Sequence, residues 1–239
     1  MSAVMPLTKL RSEHVLVRLV ATAEIPPGDA WLGPRECEVV ARLRFPKRRA
    51  DWRLGHYAAK RAAAAWLGWP TDPTSLARLE VLADETGAPQ LRCDGDVALA
   101  LSLSHRAGWA LAAVAPADVA LGCDLELIQS RSAAFVADYL TPYEQSLVAA
   151  ADVWDRTHWT TLVWCVKECA LKALREGLRL DTRSIEFAVR RGPTEGGWYP
   201  VGARVVSDGR TFEGWWRPRG ILLACVLGDP GLAPPHGIG

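Results

Sequence analysis

The sequence predicts two successive lobes, each built of short strands and helices, and three observations predict it. Its 239 residues suit one large domain or two small ones, at roughly 150 residues per domain. Strand-like and helix-like stretches run in the same order twice, from His14 to Val114 and again from Val119 to Leu227. The closing strands also read alike, Gly108-Trp109-Ala110-Leu111-Ala112-Ala113-Val114 beside Gly220-Ile221-Leu222-Leu223-Ala224-Cys225-Val226. Such short likenesses arise without duplication too, so on these residues alone both origins stay open.

In the first lobe, residues 1–117, His14–Ala21 is rich in Val and Leu and reads as a strand. Gly33-Pro34-Arg35 opens a helix, with proline suited to a first turn. Pro46–Leu67 is a second helix, basic at its start and alanine-rich at its end, closed by Gly68 and Pro70. Strands follow at Leu79–Leu82, Leu99–Ser104 and Trp109–Val114, and the join falls at Ala115–Ala117. In the second lobe, residues 118–227, Val119–Ile128 alternates like a strand. Helices are expected at Ser132–Tyr139, Pro142–Ala151 and His158–Glu176, the last capped by Gly177. Four strands then run at Ile185–Val189, Tyr199–Val206, Thr211–Trp216 and Ile221–Leu227, with Asp208-Gly209 as a hairpin turn. The Gly- and Pro-rich residues 228–239 read as a loose tail.

Composition removes several classes. Lys and Arg number 28 against 27 Asp and Glu, so bulk attraction to nucleic acid or an anionic membrane is not expected and any anion site is local. No apolar run approaches the ~20 residues of a membrane span, and the N-terminus lacks the features of a signal peptide, so a cytoplasmic protein is expected. The six cysteines are scattered through apolar segments with no CxxC pair, which suits buried thiols in a reducing compartment.

Four constellations could carry chemistry. In Gly122-Cys123-Asp124-Leu125-Glu126, a strand would set Asp124 and Glu126 side by side on one face. Adjacent carboxylates repel, and a divalent cation is the usual remedy; the solvated face of an edge strand is the alternative. In Trp164-Cys165-Val166-Lys167-Glu168-Cys169-Ala170-Leu171-Lys172, a helix brings Glu168 and Lys172 to one face, either as a surface ion pair or as partly buried groups with a task. Ser102-Leu103-Ser104-His105-Arg106-Ala107-Gly108 ends a strand, where Ser104 and His105 could donate to a phosphate or merely cap the turn. Lys47-Arg48-Arg49, with His56 a little further on, clusters basic groups at a helix start, which favours anions or is simply a solvated face.

Taken together, these motifs resemble the 4'-phosphopantetheinyl transferases of the two-lobed, monomeric type that activate polyketide and nonribosomal peptide synthases. The resemblance spans roughly Arg35 to Cys225 and rests on G-x-D-x-E followed by W-x-x-K-E-x-x-x-K, with Leu140-Thr141-Pro142-Tyr143-Glu144 between them. It implies an α+β fold, a pseudo-twofold duplication of two similar lobes. It also implies transfer of the 4'-phosphopantetheine arm of coenzyme A to a serine of an acyl or peptidyl carrier protein, releasing 3',5'-ADP. By resemblance, Asp124, Glu126 and Glu168 hold Mg²⁺, with Mn²⁺ an alternative. Glu168 is the general base, and Lys172 neutralises charge on the leaving group. Lys47, Arg48, His56, Ser104, His105, Lys167 and Lys172 contact coenzyme A. The carrier protein would dock on Arg131–Ala150, with Phe135, Tyr139, Leu140 and Tyr143 as apolar contacts.

Two positions depart from the family's pattern. Gly87-Ala88-Pro89 stands where many members have G-K-P, and Gly55-His56 where several have G-R. A lost phosphate contact weakens binding by ~1–3 kcal/mol unless Arg53, Arg92 or Arg106 substitutes. The alternative function is therefore a degenerate relative that binds coenzyme A or a carrier protein without catalysis.

Overall fold

The computed structural model describes residues 14–93, 98–176, 180–190, 192 and 196–237. Gly177, the expected cap, lies outside them. The chain divides into two compact units, Met1–Val119 with Pro235–Gly239, and Ala120–Pro234.

The first unit contains β1 (Leu16–Ala21), α1 (Pro34–Arg42), α2 (Pro46–Leu67), α3 (Pro73–Ala77), β2 (Glu80–Ala83), β3 (Pro89–Arg92), β4 (Leu99–Arg106) and β5 (Trp109–Pro116). Its main sheet has the order β1-β5-β4, antiparallel throughout, and β2 and β3 form a separate hairpin. Pro46 starts α2 in its first turn, and Gly68 ends it in the left-handed region at φ 68°. Ala58, Ala59, Ala62, Ala63 and Ala64 are fully buried, and in the same core lie Ala110, Ala112 and Val114 of β5. Small side chains on both surfaces let a 22-residue helix lie close against the strand.

The second unit contains β6 (Gly122–Leu127), α4 (Ala133–Tyr139), α5 (Pro142–Ala150), α6 (Val153–Ala173), β7 (Ile185–Val189), β8 (Tyr199–Val205), β9 (Thr211–Arg219) and β10 (Leu222–Gly228). Five antiparallel strands follow the order β6-β10-β9-β8-β7, so β6 is an edge strand. Cys165, Val166, Cys169 and Ala170 of α6 share a core with Leu223, Cys225 and Leu227 of β10. No helix among the described residues is long and apolar enough to cross a membrane.

Among the described residues after β10, 229–237, there is neither helix nor further strand, but part of the stretch is pinned down. Leu232 is buried, Val17 donates to the His236 carbonyl at 2.9 Å, and His236 donates to that of Val15 at 3.0 Å. Those backbone bonds lay residue 236 along the outer edge of β1.

Candidate functional site

The site grows from the pleat of β6. Gly122, Asp124 and Glu126 pair with Leu227, Cys225 and Leu223, the β10 residues that face α6, so all three look toward that helix. A Cβ at position 122 would collide with the Cys169 carbonyl of α6. Glycine is required there because helix backbone and strand backbone nearly touch. That close approach carries Asp124 beneath α6, where it is 4% exposed.

Lys172, four residues beyond Glu168, donates to Asp124 Oδ1 at 2.7 Å and to the Cys123 carbonyl at 3.0 Å. Burial is the largest single influence and works against its charge, but the charge and hydrogen bond of Asp124, together with Cys123 and Cys169, outweigh it and raise the ammonium's pKa. Glu126 is gripped at both oxygens. Trp164 Nε1 donates to Oε1 at 3.0 Å, and Arg131 Nη2 donates to Oε2 at 2.9 Å. The indole N–H of the motif's tryptophan therefore orients a carboxylate, while its ring lies edge-on to Phe135 and Tyr139.

Glu168 is the least compensated member. Burial raises its pKa first, the negative charges of Asp124 and Glu126 raise it further, and Lys172 only partly opposes them. Its Oε1 is buried and has no hydrogen-bond partner among the described residues. Three carboxylates balanced by Lys172 and Arg131 leave one net negative charge. Among the described residues no three His, Cys, Asp or Glu side chains are gathered closely enough to hold an ion. The reason is visible: Asp124 has turned to Lys172, and Glu126 to Arg131 and Trp164. The donor set nevertheless fits a hard divalent cation, being all carboxylate oxygen and net negative, with Glu168 Oε1 buried and unpartnered among the described residues.

Two sequence-based expectations need correction. Lys167 is adjacent to Glu168 in the chain but points the other way. Its ammonium is 0% exposed, pairs with Glu144 at 2.8 Å, and donates to the Ile185 and Thr182 carbonyls at 2.6 and 3.0 Å. All its donors are used in the core, so it is not a phosphate contact. His56 is half-buried, its Nδ1 lies 2.8 Å from the Trp52 carbonyl, and its ring stacks on Trp52. Burial drops its pKa to about 4, so the ring is neutral near pH 7 and offers no charge to an anion.

The other expected anion contacts lie in the first unit. Ser104 is half-buried and His105 exposed, at the end of β4. Lys47 and Arg48 are exposed in the first turn of α2, and Lys47 pairs with Asp51 at 2.6 Å. Among the expected docking residues, Tyr139 and Tyr143 are exposed and Phe135 half-buried. Leu140 is fully buried and belongs to the core.

Sequence reasoning passed over Arg131 as a site residue, and it passed over Glu144 as the partner of Lys167. The signal for Glu144 was present in Thr141-Pro142-Tyr143-Glu144, a capping box with proline in the first turn. Thr141 caps the Glu144 N–H at 3.3 Å, and the Glu144 carboxylate accepts from Thr141 N at 2.8 Å and from Phe187 N at 2.7 Å.

Among curated proteins none matches this chain. Solved structures similar to part of it include two holo-acyl-carrier-protein synthases. One is a holo-(acyl-carrier-protein) synthase from Bacillus anthracis in complex with CoA (3',5'-ADP), at 24% identity and TM-score 0.38, covering 43% of this chain and 93% of that one. Another is the holo-[acyl-carrier-protein] synthase of Thermotoga maritima, at 22% identity and TM-score 0.36, covering 51% of this chain and 79% of the other. Residues 120–196, which carry Asp124, Glu126, Glu168 and Lys172, match the family model of the 4'-phosphopantetheinyl transferase superfamily.

Proposed function

We propose that the protein transfers the 4'-phosphopantetheine arm of coenzyme A to a serine of an apo acyl or peptidyl carrier protein, releasing 3',5'-ADP. The observation that carries this reading is the under-compensated Glu168 beside Asp124 and Lys172, within the segment that matches the transferase family. The serine oxygen attacks the β-phosphorus of the pyrophosphate, the bond to the bridging oxygen breaks, and 3',5'-ADP departs. Glu168, with its raised pKa, takes the serine proton. Lys172, held at Asp124, supplies positive charge toward the departing phosphate. Asp124, Glu126 and Glu168 would hold Mg²⁺ or Mn²⁺, which when bound neutralises pyrophosphate charge.

On the same reading the second unit carries the chemistry. Ser104, His105, Lys47 and Arg48 of the first unit contact coenzyme A phosphates, and Tyr139 and Tyr143 meet the carrier protein. The α+β units are then a pseudo-twofold duplicate within one cytoplasmic, monomeric enzyme, serving polyketide or nonribosomal peptide synthesis. Support for duplication comes from one shared arrangement. In each unit a helix that starts with proline supplies a capping glutamate to a fully buried lysine of the long helix, Glu36 to Lys60 and Glu144 to Lys167.

The test is intact-mass spectrometry of an apo carrier protein incubated with the protein, Mg²⁺ and coenzyme A. The expected result is a gain of one phosphopantetheine arm, abolished by chelation and reduced at least ~10³-fold in rate by Glu168→Gln. Coenzyme A binding without any transfer to fatty-acid, polyketide or peptide carriers would replace this reading by that of a non-catalytic binder.

A further inference from the structure

Arg131 stands just before α4, and its position is fixed from the next residue: Ser132 caps the helix, its hydroxyl accepting from Phe135 N at 3.1 Å. The guanidinium is only 15% exposed and lies 4.9 Å from the Phe135 ring centre. Its Nη2 donates to Glu126 Oε2 at 2.9 Å, and its Nε is buried with no hydrogen-bond partner among the described residues. A half-satisfied, largely buried cation is costly to keep unless its charge matters. Here it lies against one of three clustered carboxylates.

We propose that Arg131 is a positioning residue that acts as the resident counter-charge of Glu126, standing in for a divalent cation and thereby weakening the site's hold on one. This rests on the cation-site reading given above. Without a bound cation, Arg131 and Lys172 keep Asp124, Glu126 and Glu168 from repelling one another apart. When a cation arrives, the guanidinium charge remains beside it and opposes it. Trp164, which grips the other oxygen of Glu126, holds that side chain in place whether or not Arg131 is engaged. The outcome is a site assembled in advance but with moderated affinity. Such a site can open again when 3',5'-ADP must leave.

The experiment is a Mn²⁺ titration of the full chain, without coenzyme A, following free Mn²⁺ by electron paramagnetic resonance. Arg131→Gln is expected to bind Mn²⁺ more tightly than the wild type, by at least about fivefold for one like charge removed from a largely buried setting. Arg131→Lys, which keeps the charge, is expected to stay within about twofold of wild type. In the cation-free state Arg131→Gln should melt at a lower temperature than wild type and recover more on adding Mn²⁺. Unchanged or weaker binding by Arg131→Gln, with binding still lost in Glu168→Gln, overturns the counter-charge role and leaves the cation site standing. A wild type that binds no Mn²⁺ overturns the cation site and the counter-charge role together.

Discussion

The two units hold their long helices by the same device but furnish the neighbouring strand with opposite charge. In the first, Glu36 accepts from Gly33 N at 2.9 Å and Val81 N at 3.0 Å and pairs with fully buried Lys60, which also donates to the Trp31 carbonyl at 2.8 Å. In the second, Glu144 accepts from Thr141 and Phe187 and pairs with fully buried Lys167. Matching the return strands β5 and β10 from the first residue after each hairpin turn, Trp109 and Leu222, aligns Ala112 with Cys225. Their partners are then Arg18 and Asp124, while Leu16 falls at the place of Gly122 and Val20 at that of Glu126. On the helices, Arg61 follows Lys60 as Glu168 follows Lys167. Arg18 and Arg61 interact as well, for burial first and then the Arg61 charge lower the Arg18 pKa. What anchors the helix is thus separable from what acts beside it. The buried lysine–glutamate pair is framework, and the face next to it can carry carboxylates, arginines or aliphatic groups.

The largest test of that separation is to break each anchor. Lys60→Met and Lys167→Met each leave a buried glutamate unpaired, and each should cost about 3–5 kcal/mol in urea unfolding. Similar losses would support equal roles, whereas a Lys167→Met protein of normal stability without activity would make Lys167 a chemical residue after all. A smaller effect concerns the close approach found at Gly122 and not at Leu16. Gly122→Ala should cost about 1–3 kcal/mol by the same measurement, because Cys169 must move with α6. The smallest effect has the opposite sign. Glu168 has a raised pKa, so its folded-state proton stabilises the protein at low pH, and that contribution is lost as pH rises through the raised value. Glu168→Gln in cation-free buffer should therefore melt about 2–4 °C above wild type at pH 7, the shift that ~1 kcal/mol gives a chain of this size. The gap should close as pH falls, and a gap that widened on acidification would contradict the repulsion seen among the carboxylates.

Much of this arrangement was legible in the residues. Proline at the start and glycine after the end bracket α2 at Pro46–Leu67, as expected from those two signals alone. The D-x-E alternation and the Glu168–Lys172 spacing placed their side chains correctly, because strand and helix periods are local properties. Short elements escaped. β3 has four residues and begins with proline, and α3 has five, too few for either period to register. The beginning of α6 at Val153, before the expected His158, was likewise missed. Lys167 and His56 were misread for one shared reason. Charge in a sequence announces a possible contact with solvent or ligand, whereas what consumes these groups is Glu144, on a different helix from Lys167, and the Trp52 carbonyl one turn back within α2. The capping box marks Glu144 itself, but nothing local says that Lys167 will be buried against it.

One feature of the tail bears on how the chain can be divided. The first unit is discontinuous: it leaves at Val119 and is completed by Pro235–Gly239. The returning residues hydrogen-bond along β1, which on its other side pairs with β5. An excised fragment ending at residue 119 would therefore carry a bare strand margin, a ready template for sticking to its own copies. The first 119 residues are therefore not a free-standing cassette, and a split made after them would inherit that raw border.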